Sequence, residues 1–288
     1  MTLSVLAQMF FNALIIGTVY ALLAVGFNLV WGILGVFNFA HGHFYMLGAF
    51  LAWWLMASVG LGFSISFILT TIFIFILAAV SFKLVLEPLQ ENEFVCVIAS
   101  LGLVSLIEGV VSAIFGGEPR IVRLPISGLA SFGVFVISYS RLATLGISFI
   151  VIVVFLYLVY FTKFGRAVRA AAWDPEIAQV QGINVSKIYL FTFCIGTVLA
   201  GIGGMVASHM TPLMPHMGFE FALKAFIIVV IGGLGSIPGA LMGAMIIAFI
   251  ESFIGSLINT TVATIVSFAV VLIILILKPS GLMGTVSK

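Results

Sequence analysis

Residues 1–82, MTLSVLAQMFFNALIIGTVYALLAVGFNLVWGILGVFNFAHGHFYMLGAFLAWWLMASVGLGFSISFILTTIFIFILAAVSF, contain no Lys, Arg, Asp or Glu, and only His41 and His43 titrate near neutral pH. As one helix this stretch would extend about 120 Å, against a hydrocarbon core of ~30 Å, so it must cross a membrane several times. Three passes fit. A cleavable signal peptide is excluded, because it needs a basic segment ahead of a short apolar core. The apolar runs are continuous and rich in Leu, Ile, Phe and Ala, which disfavours a β-barrel with its alternating segments of about ten residues.

The whole chain of 288 residues is 63% hydrophobic and 7% charged, with a mean hydropathy of +1.38. A soluble domain of that length is about one-quarter charged, so this chain faces lipid over most of its area. Cys96 and Cys194 both lie in apolar runs and imply neither a disulfide framework nor a zinc site.

Charge clusters at 83–93, 118–123, Arg141, 163–187, 220–224 and 278–288, which read as loops. Between them lie apolar spans near 5–30, 33–56, 62–82, 94–115, 142–161, 188–210, 221–234, 238–256 and 259–277. The expected fold is all-α: a polytopic membrane bundle of eight or nine helices forming one domain over 1–288. Lys163, Arg166, Arg169 and Lys187 share one short loop, and Lys278 and Lys288 end the chain, so the positive-inside rule puts both on the cytoplasmic side. Alternation then places 83–93 inside, and 116–141 outside with Arg120 and Arg123; nine passes put the N-terminus outside.

Small residues recur at spacing four: Ala13, Gly17, Ala21; Gly196, Ala200, Gly204, Ser208; and Gly235, Gly239, Gly243. Such stripes let helix backbones approach closely and identify packing seams rather than a function. Helix breaks are expected at Asn38-Phe-Ala-His-Gly-His43, through Gly42, where polar residues interrupt an apolar run. A second is expected at Gly232-Gly-Leu-Gly-Ser-Ile-Pro-Gly239, through Gly232, Gly233, Gly235, Pro238 and Gly239, whose composition suits a tight turn equally well. Glu108 and Glu251 lie within spans, where an ionised carboxylate costs about 2.5–3.5 kcal/mol at mid-membrane, so each lines a polar path or bonds across a helix interface. Asn38, His41, Glu108 and Glu251 are the candidate path residues. No metal site is expected, since His41 and His43 at i and i+2 do not share a helix face.

The loop KFGRAVRAAAWDPEIAQVQGINVSK, 163–187, carries ordering signals: a basic amphipathic segment over 165–172, Asp174 as N-cap before Pro175, a turn or two over 176–181, and Gly182 as a stop. It reads as an ordered surface helix on which something docks.

Taken in order, GTVYALLAVGFNLVWGILGVFNFAHGHFYMLGAF (17–50), GGEPR (116–120), GRAVRAAAWDPEIAQVQGINVSK (165–187) and KAFIIVVIGGLGSIPGALMGA (224–244) resemble the membrane permease subunit of branched-chain amino acid ABC importers, nearer the LivH type than its LivM-type partner. The resemblance implies half of a translocation pore in a bacterial inner membrane, paired with a second related permease. It also implies two cytoplasmic ATPases that bind ATP and Mg, a periplasmic solute-binding protein, and no cofactor or catalysis in this subunit. The 174–187 segment would supply the coupling helix, with Arg166, Arg169, Asp174, Pro175, Glu176, Gly182, Ile183 and Lys187 as coupling-loop residues. The chain has no GxxxxGK[ST] phosphate loop, so ATP hydrolysis by that route falls to a partner. Membrane lipid is an expected contact, nucleic acid is not. Glu108 stands where many members carry an uncharged polar residue, and the family also includes importers of urea, short amides, other amino acids and small carboxylates, so the solute stays open. Two other classes are weighed: a proton-coupled secondary carrier using Glu108, Glu251 or the histidines, and an intramembrane enzyme, which no paired acid, nucleophile or metal spacing supports.

Overall fold

The structure, a computed structural model, describes residues 3–90, 92–122, 128–131, 133 and 135–284. Arg123 and Lys288, used above for orientation, lie outside the described residues. In lipid a peptide group finds partners only in its own helix or in protein, so the apolar runs become helices. They are α1 (Leu3–Leu34), α2 (His41–Trp53) running on as a wider turn to Ser58, α3 (Phe63–Ser81) continuing in irregular turns to Leu89, and α4 (Glu93–Phe115). A short antiparallel hairpin follows, β1 (Leu129–Ser131) with β2 (Val136–Ser138), Leu129 facing Ser138. Then come α5 (Tyr139–Phe161), α6 (Lys163–Trp173), α7 (Pro175–Val180), α8 (Val185–Ala207), α9 (Met217–Gly232), α10 (Ile237–Leu257) and α11 (Thr260–Leu277).

Among the described residues, seven helical spans are long and apolar enough to cross a bilayer. The other two expected spans are short: α2 has 13 residues and α9 has 16. At 1.5 Å per residue α9 covers about 24 Å, less than the ~30 Å core. Burial then sorts the bundle. The most apolar stretches of α1 and α8 are 89% and 78% buried, whereas in the other long spans the share is 17–33%. α1 and α8 are therefore the central pair, and the remaining long helices shield them from lipid.

That pair meets at glycines. A methyl group on Gly26 would stand 2.3 Å from the Gly196 carbonyl oxygen, and one on Gly204 would stand 1.8 Å from the Tyr45 carbonyl oxygen of α2. The expected seam at 196–208 is thus a backbone-to-backbone contact, the close packing small residues permit in lipid. Gly239 and Gly243 play the same part toward α9, against Gly232 and Ile228. Gly235, expected in that stripe, instead lies in the α9–α10 turn with φ +79°.

The early break is real, and it begins sooner than expected. α1 ends at Leu34, Gly35 turns with φ +64°, and 35–40 return non-helically along α1. The His41 ring therefore sits beside the Leu23 carbonyl, and α2 starts alongside the middle of α1 instead of at its end. Gly42, expected at the break, is already inside α2, where its Cα packs on Gly218 and Ala222 of α9. The late motif is a tight turn: Gly232 ends α9, Gly233 caps it, Ser236 caps α10 through the Gly239 N–H, and Pro238 lies in the first turn of α10. Proline suits that position, where its missing N–H has no intrahelical partner. Residues Glu220–Lys224, read above as a loop, are helical within α9.

The 163–187 segment is ordered as expected. Thr162 caps α6, Asp174 Oδ1 accepts from the N–H groups of Glu176 and Ile177 at 2.9 Å to start α7, and Gly182 stops it with φ +81°. We expect Gly204→Leu to abolish a stable fold or lower stability by more than about 2 kcal/mol, because no backbone can yield at that contact. Gly102→Leu, where a Cβ meets nothing within 4 Å, should leave thermal stability in detergent nearly unchanged.

Candidate functional site

The starts of α2 and α9 touch beside the middle of α1, and the charged residues of the interior gather there. Lys224, two turns into α9, donates from Nζ to the Tyr20 oxygen of α1 at 2.9 Å and lies 3.2 Å from the Glu251 carboxylate of α10. Tyr20 donates its O–H to Glu251 Oε2 at 2.5 Å. Lys224 also approaches Glu220 at 3.8 Å, one turn back on its own helix. Lys224 and Glu251 are only 18% and 17% exposed, so each has mainly the other and Tyr20 to satisfy it. Charges taken out of water demand such pairing. Three helices are tied at one level by the cluster.

On the side away from α6 and α7, a cavity of about 170 Å³ opens over this cluster. Its walls are Ile16, Val19 and Tyr20 of α1, Tyr45 of α2 and Phe221 of α9, with Ala207, Met210 and Thr211 along one edge and Arg141 of α5 at another. The Tyr45 and Phe221 rings stack with centroids 4.0 Å apart. Arg141 donates to Asn12 Oδ1 at 2.8 Å, which fixes the guanidinium while its fork of five donors retains others for a ligand. Burial, then the Arg141 charge, push His209 in the following segment below the usual histidine range, so it adds no second cation at neutral pH. At about 30 Å³ per water the cavity has room for a small solute. An apolar, aromatic chamber with one fixed cation suits an organic anion or zwitterion.

The sequence-based path residues are divided by the structure. Glu251 reaches the cavity floor through Tyr20. His41 is buried against α1, its Nε2–H donating to the Leu23 carbonyl at 3.1 Å. Asn38 is buried and accepts from the Ala40 N–H at 3.1 Å, holding the break in shape. Glu108 pairs at 3.4 Å with His43, which was not a candidate, and its side chain is 37% exposed on the far side of α2. The four do not form one path. Sequence reading missed Tyr20, Tyr45, Arg141, Phe221 and Lys224. Lys224 offered a signal, a lone cation beginning an apolar span; the aromatic residues offered none among 28 Phe and 6 Tyr. No group of three metal-ligating side chains occurs among the described residues.

Removing one member of the Lys224–Glu251 pair strands the other. Lys224→Met and Glu251→Gln should each lower stability by about 2–4 kcal/mol. The double variant should be more stable than either alone, as a double-mutant cycle on thermal unfolding in detergent would read.

Residues 9–276 match the family model described as "Branched-chain amino acid transport system / permease component". The chain is 30% identical to the high-affinity branched-chain amino acid transport system permease protein BraD of Pseudomonas aeruginosa, with 96% of this chain and 95% of that protein covered. It is 28% identical to LivH of Escherichia coli, a permease protein of the same description, over the same shares. Among solved structures, PsaBC from Streptococcus pneumoniae in complex with Fab shares the fold, with a TM-score of 0.53, 13% identity, and 91% of this chain and 89% of that one covered. With this fold and a match along almost its whole length, the chain belongs to the branched-chain amino acid transport permease family, as a multi-pass, LivH-like membrane permease.

Proposed function

We propose that this chain is the permease subunit of an ABC importer in a bacterial inner membrane, forming half of a path for amino acids with apolar side chains. A periplasmic binding protein delivers the solute, a second LivM-type permease completes the pore, and two cytoplasmic ATPases bind ATP and Mg and supply the energy. The observation that carries this reading is the cavity beside α1. Its Arg141 fork suits a carboxylate, and the Val19, Tyr45 and Phe221 surfaces suit a branched aliphatic group. In this orientation the cavity faces the periplasm.

Energy reaches the cavity through α5. This single rod of 23 residues starts with Arg141 near the cavity and ends at the Thr162 cap of α6. Gly165 of α6 packs directly on the Val159 and Leu158 carbonyls, and the Arg169 guanidinium donates to the Val159 carbonyl, so α6 moves with the end of α5. The knob formed by α6 and α7 presents Trp173, at the end of α6, and Ile177 and Val180 of α7 at 91%, 60% and 86% exposure on a part of the chain that is in water in this topology. Exposed apolar residues rimmed by charge mark a docking face, here for the ATPases. Closure of the ATPases would push α6 and α7, tilt α5, and displace Arg141 from the solute.

Two outcomes test this. In proteoliposomes holding the full transporter, Arg141→Gln should raise the KM for uptake about tenfold or more, the loss of one charged hydrogen bond, while Arg141→Lys loses less. An unchanged KM in Arg141→Gln would remove the carboxylate assignment. At the knob, Asp174→Lys, Glu176→Lys or Gly182→Leu should weaken ATPase association and uncouple hydrolysis from uptake in a folded permease. Normal association and uptake in all three would remove the coupling assignment.

A further inference from the structure

Glu108 stands four residues past Val104, the midpoint of α4. With α4 centred in the membrane, that is about 6 Å along the helix axis from the middle of a ~30 Å core. Its partner His43 is fully buried at 3.4 Å, yet the Glu108 side chain stays 37% exposed. Hydrocarbon offers no hydrogen-bond donor, so a carboxylate open on one side at this depth has protein or water against it, not lipid.

The faces of α4 show which side is involved. Cys96, Ser100, Leu103, Ile107 and Val111 pack the helix on the bundle along one edge. The exposed remainder falls into two arcs. Leu106, Val110 and Ile114 make one of them bulky and apolar, the composition of a lipid-facing surface. Gly102, Ser105, Gly109 and Ser112 make the other, opposite the packed edge, in a single stripe spaced three and four residues apart. Glu108 adjoins that stripe, one turn from both Ser105 and Ser112. A Cβ on Gly102 or Gly109 would meet nothing within 4 Å, whereas at Gly26 and Gly204 it would strike the backbone of a neighbouring helix. Glycines of the second kind close the chain's own seams; those of α4 leave room that no described part of the chain takes up. In lipid such room serves the close approach of another helix.

We propose that this face of α4 is where the second permease docks, one of its transmembrane helices crossing the stripe at 102–112 and supplying a hydrogen-bond donor to Glu108. The carboxylate sets the chemistry of the occupant: a helix with small residues at the crossing and a hydroxyl, amide or cationic side chain beside it, which an acyl chain does not offer. The inference rests on the transport reading, which requires a second permease, and adds the surface that receives it.

The test captures this chain from cells that make the whole transporter and measures how much second permease comes with it. Gly102→Leu combined with Gly109→Leu should lower that recovery at least tenfold, while the variant chain alone unfolds in detergent at the wild-type temperature. Gly146→Leu on α5, where an added Cβ also meets nothing within 4 Å, should leave recovery unchanged. Glu108→Leu should lower it, and Glu108→Gln, which keeps a hydrogen-bonding head, should retain most of it. A photoreactive benzophenone side chain placed at position 105 should crosslink to the second permease, and one at position 110 or 114 to lipid. Undiminished recovery in the double glycine variant, equal loss in Gly146→Leu, or crosslinks from position 105 to lipid alone would overturn the inference and leave the transport reading standing. Recovery of a differently tagged copy of this chain in place of a second permease would overturn it in favour of a homodimer. A wild-type chain that brings down no permease at all would overturn both.

Discussion

Residues 35–40 leave helical geometry at a depth where lipid offers no hydrogen bonds, and the remaining architecture answers that constraint. Such a segment survives only when protein encloses it. Here the segment's own Phe37 ring packs on Phe39 within it and on Phe27 and Phe226 outside it, the Phe39 N–H donates to Ser100 of α4, and Asn38 turns its own amide back on the Ala40 N–H. Enclosure in turn requires α2 to lie very close to α8 and α9, and glycines at 42, 48, 201, 204 and 218 supply that proximity. With α2 and α9 both starting beside the middle of α1, a cavity can form between helices that would otherwise pack solidly.

The charged cluster belongs to the same logic. Lys224 and Glu251 would each be costly in a bilayer alone, and the bundle brings them together at Tyr20 from helices that approach one another only because Gly232, Gly239 and Gly243 let α9 and α10 close up. Packing by small residues and pairing of buried charge are thus two aspects of one arrangement. α5 extends it across the bundle, with Arg141 near the cavity at one end and the α6–α7 knob at the other.

Much of this was legible in the sequence because the signals are local. Apolar run length located the seven long spans of the described residues and the two short helices α2 and α9, Asp174 and Gly182 bounded α7, and the stripe at 196–208 marked a true seam. The site was not legible, because it is built from residues distant along the chain: Tyr20, Tyr45, Arg141, Phe221 and Lys224 meet only through the crossing of four elements, α1, α2, α5 and α9. The return path of 35–40 was equally hidden. Asn38 and the histidines announced an interruption, but its starting point was set by Gly35, and how far the chain retreats along α1 is decided by tertiary packing. Glu108 and Glu251 looked alike as single carboxylates in apolar runs, and only the folded chain separates a half-exposed partner of His43 from the anchor of the interior cluster.

The most direct measurement is the composition of what this chain holds. Extraction in mild detergent from the cells that make it, followed by affinity capture and mass spectrometry of the bound proteins, should recover a second permease of the same family together with ATPase subunits in two copies per pore. Recovery of the chain alone, still moving solute in sealed vesicles under a proton gradient and without ATP, would contradict the account and establish a secondary carrier.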